Sequence, residues 1–141
     1  MKILIINGPN LNLLGSREPE IYGGSTFEDY FSSLQFKFRE VELSHFQSNH
    51  EGEIIDQLHQ AQDDFDGVIL NAAAYTHTSI AIADAVKAIQ IPVVEVHISN
   101  TSAREKFRHT SFIAPNAKGV IAGFGLKSYE LSVLSFMEID E

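Results

Sequence analysis

Cysteine and tryptophan are both absent from this chain of 141 residues. The lack of cysteine excludes disulfide bonds, thiolate metal sites and cysteine nucleophiles together. No apolar run approaches the roughly 18 residues that a membrane-spanning helix needs, and the N-terminus passes from one lysine directly into a strand-like run. We therefore expect no membrane span, no secretory signal and a cytoplasmic location.

Basic residues are also scarce, with 10 Lys and Arg against 19 Asp and Glu and a formal net charge of −9. Because phosphate backbones are bound by basic surfaces, nucleic acid is not expected as a partner. Hydrophobic residues make up 44% of the chain and charged residues 21%, which is ordinary for a globular protein. The length favours a single catalytic or binding domain over residues 1–141.

Apolar strand-like runs alternate with helical patterns along the whole chain. We predict strands over residues 2–6, 41–47, 67–71, 92–99 and 119–123. We predict helices over 27–40, behind Ser25 and Thr26 as caps, and over 51–64, 79–89 and about 127–137, with a short helical stretch near 103–107. This alternation predicts a parallel sheet with helices on both faces, and five strands suit the flavodoxin-like order 2-1-3-4-5.

The link between the first strand and the first helix is long, and it carries Arg17 and Tyr22. Loops beyond about 12–15 residues are usually functional or disordered, so we predict a mobile lid over about residues 11–24. Ionising a tyrosine near pH 7 costs about 4 kcal/mol. One cation at about 4 Å supplies that much only where water is excluded, so Arg17 could activate Tyr22 only in a closed loop. Alternatively, Tyr22 anchors the loop by its ring.

Ligands of open parallel sheets bind beyond the carboxyl ends of the strands. Polar segments collect there after four strands: NGPNLN from residue 7, NAAAYTHTS from 71, SNTSAREKFRH from 99 and GFGLKSY from 123. Each has an ordinary explanation alone, since Asn and Gly form turns, Ser79 can cap a helix and Arg108 can lie in solvent. Their joint placement at one edge favours a functional site.

His97 is the most informative single residue. Strand alternation in VVEVHIS places Glu95, His97 and Ser99 on one face, although a central parallel strand is normally apolar on both faces. Glu95 can hold the imidazole in one tautomer, as carboxylates do for catalytic histidines. A histidine satisfied inside the core is the alternative. His77 is a second candidate, and no role is assigned to His45, His50, His59 or His109.

Several other chemistries lack their motifs in this chain. His77 and His97 have no HExxH or other close-spaced partner for zinc, so no metal site is predicted. The first loop has neither GxxxxGK nor GxGxxG, and it is rich in Asn rather than in the Ser and Thr that FMN would favour. A GxSxG elbow for a serine hydrolase is also missing. After these exclusions, the remaining candidate chemistry is acid–base catalysis by tyrosine and histidine.

The motifs NGPNLNLLGSREPEIYG, NAAAYTHTS, EVHISN and REKFRHTS, in this order and spacing, resemble type II 3-dehydroquinate dehydratase. The match extends over nearly the whole chain. It implies a flavodoxin-like fold, a homododecamer arranged as a tetramer of trimers, and no metal or cofactor. It also implies the reaction: 3-dehydroquinate loses water to give 3-dehydroshikimate, the third step of the shikimate pathway.

The resemblance further implies a role for each site residue. Tyr22, made acidic by Arg17, would take the proton alpha to the ketone, and Asn10 would hold a water against the enolate oxygen. His97, oriented by Glu95, would protonate the departing hydroxyl. The substrate's hydroxyls and carboxylate would be bound by Asn71, His77, the backbone of Ile98, Ser99 and Arg108.

Two implications concern the segment after the third strand. Asp84 would reach the site of a neighbouring subunit. The family often has Pro and Gly where this chain has Ala72 and Ala73, which frees one φ angle and removes a residue that tolerates positive φ. We expect an altered loop and affinity, with activity kept because YTHTS is intact.

Three alternatives to this reaction are less consistent with the sequence. A lysine Schiff base, as in the unrelated type I enzymes, is disfavoured because neither Lys106 nor Lys127 lies at a strand end. A silent binding module for an anionic metabolite would not need Arg17, Tyr22 and His97 together. A purely structural oligomerising domain would leave the polar edge unexplained.

Overall fold

The structure is a computed structural model, and it describes residues 1–16, 20 and 26–137. Within these residues the strands are β1 (Lys2–Asn7), β2 (Glu42–Gln47), β3 (Gly67–Asn71), β4 (Val93–His97) and β5 (Gly119–Ala122). The α-helices are α1 (Phe27–Lys37), α2 (Glu51–Asp64), α3 (Ile80–Ala88) and α4 (Lys127–Leu134). Short 3-10 turns cover Leu11–Leu13, Ala73–His77, Thr101–Ala103, Lys106–Arg108 and Ala114–Asn116.

The strands form one parallel sheet in the order β2-β1-β3-β4-β5, which confirms the predicted flavodoxin-like topology. The register aligns the polar residues that end the central strands. Asn7, the last residue of β1, pairs with Gln47 on one side and with Asn71 on the other. His97 ends β4 opposite Ala122. The sheet therefore presents its amide and imidazole side chains along a single edge.

Alternation along β1 divides the core into two layers. Ile3 and Ile5 pack on the side of α1 and α4, with Leu34 and Tyr129 among their neighbours. Leu4 and Ile6 pack on the opposite side, against residues of α2 and α3 such as Leu58 and Ile82. Helices therefore cover both faces, as a buried parallel sheet requires. Every residue of β3 and β4 is buried.

The helix starts follow the predicted caps where the structure describes them. Thr26 Oγ1 accepts a hydrogen bond from the Asp29 backbone N–H at 3.2 Å, and Ser79 Oγ accepts one from Ile82 N–H at 2.9 Å. Each bond satisfies a donor that the first helical turn leaves unpaired. Ser25, the other predicted cap, lies outside the described residues.

Several element ends differ from the predictions. The first helix stops at Lys37 rather than at 40, because Phe38 leaves the helix with φ −114° and is buried in the core. β4 stops at His97, so Ile98 and Ser99 belong to the loop and not to the strand. The stretch near 103–107 forms two separate 3-10 turns, and the last helix ends at Leu134.

The first part of the predicted lid is attached to the core. Leu11 and Leu14 are each 6% exposed and belong to the layer beneath α1. Arg17 and Tyr22, with the predicted lid residues 18, 19, 21, 23 and 24, lie outside the described part of the chain. In the described residues, no helix is both long enough and apolar enough to cross a membrane.

Candidate active site

A cleft opens where the carboxyl ends of β1, β3 and β4 meet. Its position beyond the strand ends is the one expected for a ligand site in an open parallel sheet. Its lining brings together seven of the residues singled out in the sequence: Asn10, Asn71, His77, His97, Ile98, Ser99 and Arg108.

A buried carboxylate–imidazole pair lies at the end of β4. Glu95 is 1% exposed and His97 is 7% exposed, so both are almost removed from water. His97 Nε2–H donates to Glu95 Oε2 at 2.7 Å. The two residues share a face because they are two apart in a strand. The carboxylate thereby orients the ring, and Nδ1 is the nitrogen left to face a ligand in the cleft.

The second oxygen of Glu95 is held by Ser111, a residue that the sequence did not single out. Ser111 Oγ donates to Glu95 Oε1 at 2.6 Å. The same hydroxyl oxygen accepts hydrogen bonds from the backbone N–H groups of Ile113, at 3.1 Å, and Ala114, at 3.0 Å. Both oxygens of this buried carboxylate are therefore satisfied, which is the condition for keeping a charge inside a protein.

His77 is fixed next to His97 by a main-chain contact. Its Nδ1 lies 2.7 Å from the carbonyl oxygen of Thr110. Because a carbonyl can only accept, Nδ1 must carry the proton and the neutral ring has Nε2 as its acceptor. The His77 and His97 rings are stacked with centroids 6.3 Å apart and planes inclined by 20°. Two imidazoles thus form one wall of the cleft.

Asn71 is held by a chain of hydrogen bonds through the core. Its Nδ2 donates to Tyr129 Oη at 2.9 Å, and Tyr129 Oη donates to Asn7 Oδ1 at 2.7 Å. Its Oδ1 accepts from Ala73 N–H at 3.1 Å. An amide has two N–H groups and two acceptor lone pairs, so Asn71 keeps one donor and one acceptor for a ligand. Burial raises the pKa of Tyr129, so its phenol stays protonated.

Asn10 has φ +70°, a left-handed conformation that Asn tolerates better than most residues. Its backbone N–H donates to Asn49 Oδ1 at 3.0 Å. The backbone carbonyl of Asn49 accepts from Tyr75 Oη at 2.9 Å. Asn49 therefore ties together the loops that follow β1, β2 and β3, and it holds Asn10 at the edge of the cleft.

The two alanines after Asn71 adopt different backbone conformations. Ala72 has φ −75°, which is close to the angle that proline imposes. Ala73 has φ +51°, in the region where an L-residue with a side chain is strained by about 1–2 kcal/mol. The bond from Asn71 Oδ1 to Ala73 N–H helps to hold this turn. The loop thus keeps a positive φ without glycine.

Two arginines, Arg104 and Arg108, also line the cleft. Arg108 Nε donates to Glu105 Oε2 at 2.6 Å, and Arg104 Nη1 donates to Ser99 Oγ at 3.3 Å. A hydrogen bond from its own backbone and the bond from Arg108 lower the pKa of Glu105. Arg108 and Arg104 can give the cleft positive charge for an anionic ligand despite the acidic chain.

The structure does not bring Asp84 to this cleft. Asp84 is exposed on α3, while its neighbours Ala83 and Ala85 are buried. Arg17 and Tyr22 lie outside the described residues, so their predicted place at the cleft stays a prediction. Among the described residues, no group of three or more His, Asp or Glu side chains could hold a metal ion.

Sequence reasoning missed Ser111, Asn49 and Arg104. Asn49 could have been found, because it follows the second strand and the strand-end rule applies there as well. Ser111 gives no such signal, since it lies 16 residues from Glu95 and looks like an ordinary turn residue. Arg104 lies in the quoted segment after β4, where Arg108 was preferred.

Comparisons with known proteins agree on one family. The family model described as "Dehydroquinase class II" matches residues 1–137. A protein from Exiguobacterium sp. named 3-dehydroquinate dehydratase is 58% identical over 139 residues, covering 98% of this chain and 95% of its own. One of the same name from Caldicellulosiruptor bescii is 55% identical over 141 residues, covering 98% and 97%.

Solved structures give the same result. The type II dehydroquinase of Butyrivibrio crossotus superposes with a TM-score of 0.93 at 45% identity, covering 96% of each chain. That of Propionibacterium acnes gives a TM-score of 0.91 at 46% identity, covering 95% of this chain and 94% of its own. The likeness therefore extends over 95–96% of this chain.

Proposed function

This chain belongs to the class II dehydroquinase family and dehydrates 3-dehydroquinate to 3-dehydroshikimate, the third step of the shikimate pathway; we propose that His97 and Tyr22 are the acid and the base of this reaction. The reaction makes the chain a hydro-lyase. Tyr22 takes the proton alpha to the ketone and leaves an enolate. His97, as the imidazolium, then gives its Nδ1 proton to the departing hydroxyl, which leaves as water, and the neutral ring keeps its Nε2 proton directed at Glu95.

One observation carries the proposal: the buried Glu95–His97 pair at the edge of the cleft. A general acid needs a proton aimed at the leaving group and a fixed ring orientation. Glu95 supplies the orientation through Nε2 and stabilises positive charge on the imidazole, while the ring borders the space where a substrate binds. Such positioned proton transfer contributes about 10²–10⁴ in rate.

The assignment of the base follows from comparing the four tyrosines of the chain. Tyr129 is fully buried and hydrogen-bonded to two asparagines. Tyr75 uses its hydroxyl to hold Asn49. Burial, with the charge of Glu130, raises the pKa of Tyr30 to about 12. Tyr30 therefore stays protonated at neutral pH and cannot act as a base there. Tyr22, with Arg17 as its activating cation, is the phenol that this comparison leaves.

The remaining cleft residues bind the substrate and the intermediate. Asn10 holds a water molecule that stabilises the enolate oxygen. The free donor and acceptor of Asn71, the Nε2 of His77, the Ile98 backbone and Ser99 bind hydroxyls. Arg108 binds the carboxylate, for which its planar guanidinium offers a two-point contact.

We further propose that the enzyme needs no metal or cofactor, works in the cytoplasm and assembles as a homododecamer, a tetramer of trimers. In that assembly Asp84 reaches the site of a neighbouring subunit, which its exposed position on α3 allows. Mixing tests the shared site: Asp84→Asn and His97→Ala variants are each expected to be weakly active, and reassembly from mixed subunits should restore activity. Mixtures no better than their components would remove Asp84 from the site.

The proposed function is tested by an ultraviolet time course with 3-dehydroquinate and a chelator. The product is a conjugated enone carboxylate, so its absorbance rises as water is lost. We expect a rise with the chelator present, and turnover that collapses in Tyr22→Phe and His97→Ala while His59→Ala, an exposed histidine on α2, is unaffected. A flat trace from folded protein would disprove the activity. Full turnover of Tyr22→Phe would remove Tyr22 as the base.

A further inference from the structure

Ser111 makes three hydrogen bonds, and together they fix the direction of its hydroxyl proton. Its oxygen accepts from Ile113 N–H at 3.1 Å and from Ala114 N–H at 3.0 Å, at the start of the Ala114–Asn116 turn. A hydroxyl has two acceptor lone pairs and one proton. Because the two backbone donors occupy the lone pairs, the proton has one remaining direction, toward Glu95 Oε1 at 2.6 Å.

The direction of that proton determines how Glu95 is oriented. Glu95 is 1% exposed, so water does not compete for its oxygens. Oε1 receives the Ser111 hydroxyl and Oε2 receives the His97 ring. A carboxylate held at both oxygens cannot rotate without breaking a charge-assisted bond. The plane of the carboxylate, and with it the position of Oε2 opposite His97 Nε2, is therefore set from the far side by Ser111.

Thr110, the residue before Ser111, orients the second histidine, His77. The Thr110 carbonyl accepts from His77 Nδ1–H at 2.7 Å. The neutral His77 ring therefore carries its proton on Nδ1, whereas the neutral His97 ring carries its proton on Nε2, toward Glu95. One dipeptide thus sets opposite tautomers in two stacked rings, His77 through its backbone and His97 through a side-chain hydroxyl.

We infer that Ser111 is a positioning residue for the dehydration, acting through Glu95 to hold the His97 ring so that Nδ1, which carries the transferred proton when the ring is the imidazolium, faces the leaving hydroxyl. This inference rests on the proposed role of His97 as the acid. Ser111 does not line the cleft, so its effect on the reaction passes through the carboxylate and not through contact with the substrate.

The first test compares variants that differ only in the hydroxyl. Ser111→Thr keeps it, and Ser111→Val replaces it with a methyl group of the same shape. We expect Ser111→Val and Ser111→Ala to lower kcat by about tenfold to a hundredfold, the effect of one hydrogen bond to a charged group, with little change in KM. Ser111→Thr should recover most of the loss. Equal kcat values for the Thr and Val variants would overturn the inference.

A control separates positioning from loss of stability. Ser132 is fully buried on α4, away from the cleft, and its hydroxyl donates to the Ser128 carbonyl at 2.7 Å. Ser132→Ala loses a buried hydroxyl's hydrogen bond to a neutral carbonyl, so it should lower the melting temperature without lowering kcat. If Ser132→Ala lowers kcat as much as Ser111→Ala does, the effect is general destabilisation and the inference fails.

A double-mutant cycle tests the route through Glu95. With Glu95→Ala the carboxylate is gone, so adding Ser111→Ala should change kcat by less than about twofold. An undiminished effect of Ser111→Ala in that background would show that Ser111 acts by another path. Residues that act as a unit are expected to be strongly non-additive.

Nitrogen-15 NMR of the histidine rings gives a readout that does not depend on activity. In the wild-type protein, the neutral His97 ring should carry its proton on Nε2 and His77 on Nδ1. Ser111→Val should give mixed His97 tautomers and leave His77 unchanged, because the Thr110 carbonyl is retained. A single unchanged His97 tautomer would overturn the inference. Unimpaired turnover of His97→Ala would instead contradict the proposed function, whatever the NMR result.

Discussion

His77 and His97 stack 6.3 Å apart at one wall of the cleft, yet their hydrogen bonds hold them by different nitrogens. His77 is held by Nδ1 and His97 by Nε2. The two rings therefore present different nitrogens to the cleft, Nε2 from one and Nδ1 from the other. Such a wall can accept a hydrogen bond from a substrate hydroxyl at His77 Nε2, and it can deliver a proton from His97 Nδ1 when that ring is the imidazolium. This division supports a binding role for His77 and an acid role for His97.

Removing the Tyr129 hydroxyl should destabilise the protein and weaken substrate binding. Tyr129→Phe leaves Asn71 Nδ2 and Asn7 Oδ1 without their buried partner, a loss of about 1–3 kcal/mol in the free energy of unfolding. Asn71 lines the cleft, so KM should rise more than kcat falls. Urea unfolding and steady-state kinetics measure the two effects.

Tyr30→Phe is the matched control in the same aromatic cluster. The Tyr30 ring lies 6.3 Å from that of Tyr129, and its buried hydroxyl has no hydrogen-bond partner of normal geometry in the described residues. Removing it should change the free energy of unfolding by less than about 0.5 kcal/mol. If the two variants lose equal stability, the chain through Asn7 and Asn71 does not account for the Tyr129 effect.

Stability should fall steeply at alkaline pH because of the same tyrosines. Burial raises the pKa of Tyr129, and it raises the pKa of Tyr30 to about 12, with the charge of Glu130 adding to it. In the unfolded chain both phenols ionise near pH 10. The folded state holds protons that the unfolded state has lost, so this stability is complete below about pH 10 and decreases as pH rises above it.

This effect can be measured as the slope of the unfolding free energy against pH. One fully buried phenol contributes about 1.4 kcal/mol per pH unit above pH 10, and half-buried Tyr30 contributes less. Unfolding free energies between about pH 8 and pH 11 should show a smaller alkaline slope for Tyr129→Phe than for the wild type. An unchanged slope would mean that other groups cause the alkaline unfolding.

The fold was predictable because local sequence patterns indicate most of its strands and helices. Strand-like runs alternate with helical patterns, and alternate residues of β1, such as Ile5 and Ile6, face different layers. The ends of elements were less predictable. Phe38 continues the helical pattern in the sequence, but its backbone leaves the helix with φ −114° and its side chain is buried in the core.

The site was predictable where one strand or one strand end carries it. Glu95 and His97 share a face of β4, so their pairing follows from alternation alone. Ser111 and Asn49 were not predictable in this way, because their partners lie 16 and 39 residues away and meet them only in the folded chain. Their contacts depend on how loops pack, which local pattern does not determine.

Asn49 should affect catalysis through Asn10. Asn49→Ala removes the Oδ1 that accepts from Asn10 N–H, and Asn10 is then free to leave its left-handed conformation. We expect kcat to fall by about tenfold, the value of one lost hydrogen bond at a positioned group. Asn49→Asp keeps the acceptor and should retain most of the activity. Equal losses in both variants would mean that the amide group itself, and not the acceptor, is what matters.

Tyr75→Phe distinguishes a positioning role of Tyr75 from a catalytic one. The variant removes only the hydroxyl that donates to the Asn49 carbonyl at 2.9 Å. We expect a loss of about 0.5–1.5 kcal/mol in stability and at most about a tenfold fall in kcat. A collapse of turnover with substrate binding intact would identify Tyr75, rather than Tyr22, as the base.

Glycine at position 73 should stabilise the protein. Ala73 has φ +51°, so Ala73→Gly relieves about 1–2 kcal/mol of backbone strain. The added freedom of the unfolded chain offsets about 0.4–1 kcal/mol of that gain. The difference predicts a net increase of up to about 1.6 kcal/mol in the free energy of unfolding, measured by urea denaturation.

Ala74 provides the control, since it follows in the same 3-10 turn without a positive φ. Ala74→Gly relieves no backbone strain and only adds freedom to the unfolded chain. It should therefore lower the free energy of unfolding by about 0.4–1 kcal/mol. Opposite signs for the two variants would identify the left-handed backbone at Ala73 as the cause. If both variants lose stability, the strain at Ala73 is smaller than the entropy of glycine, and the turn after β3 holds its conformation at little cost.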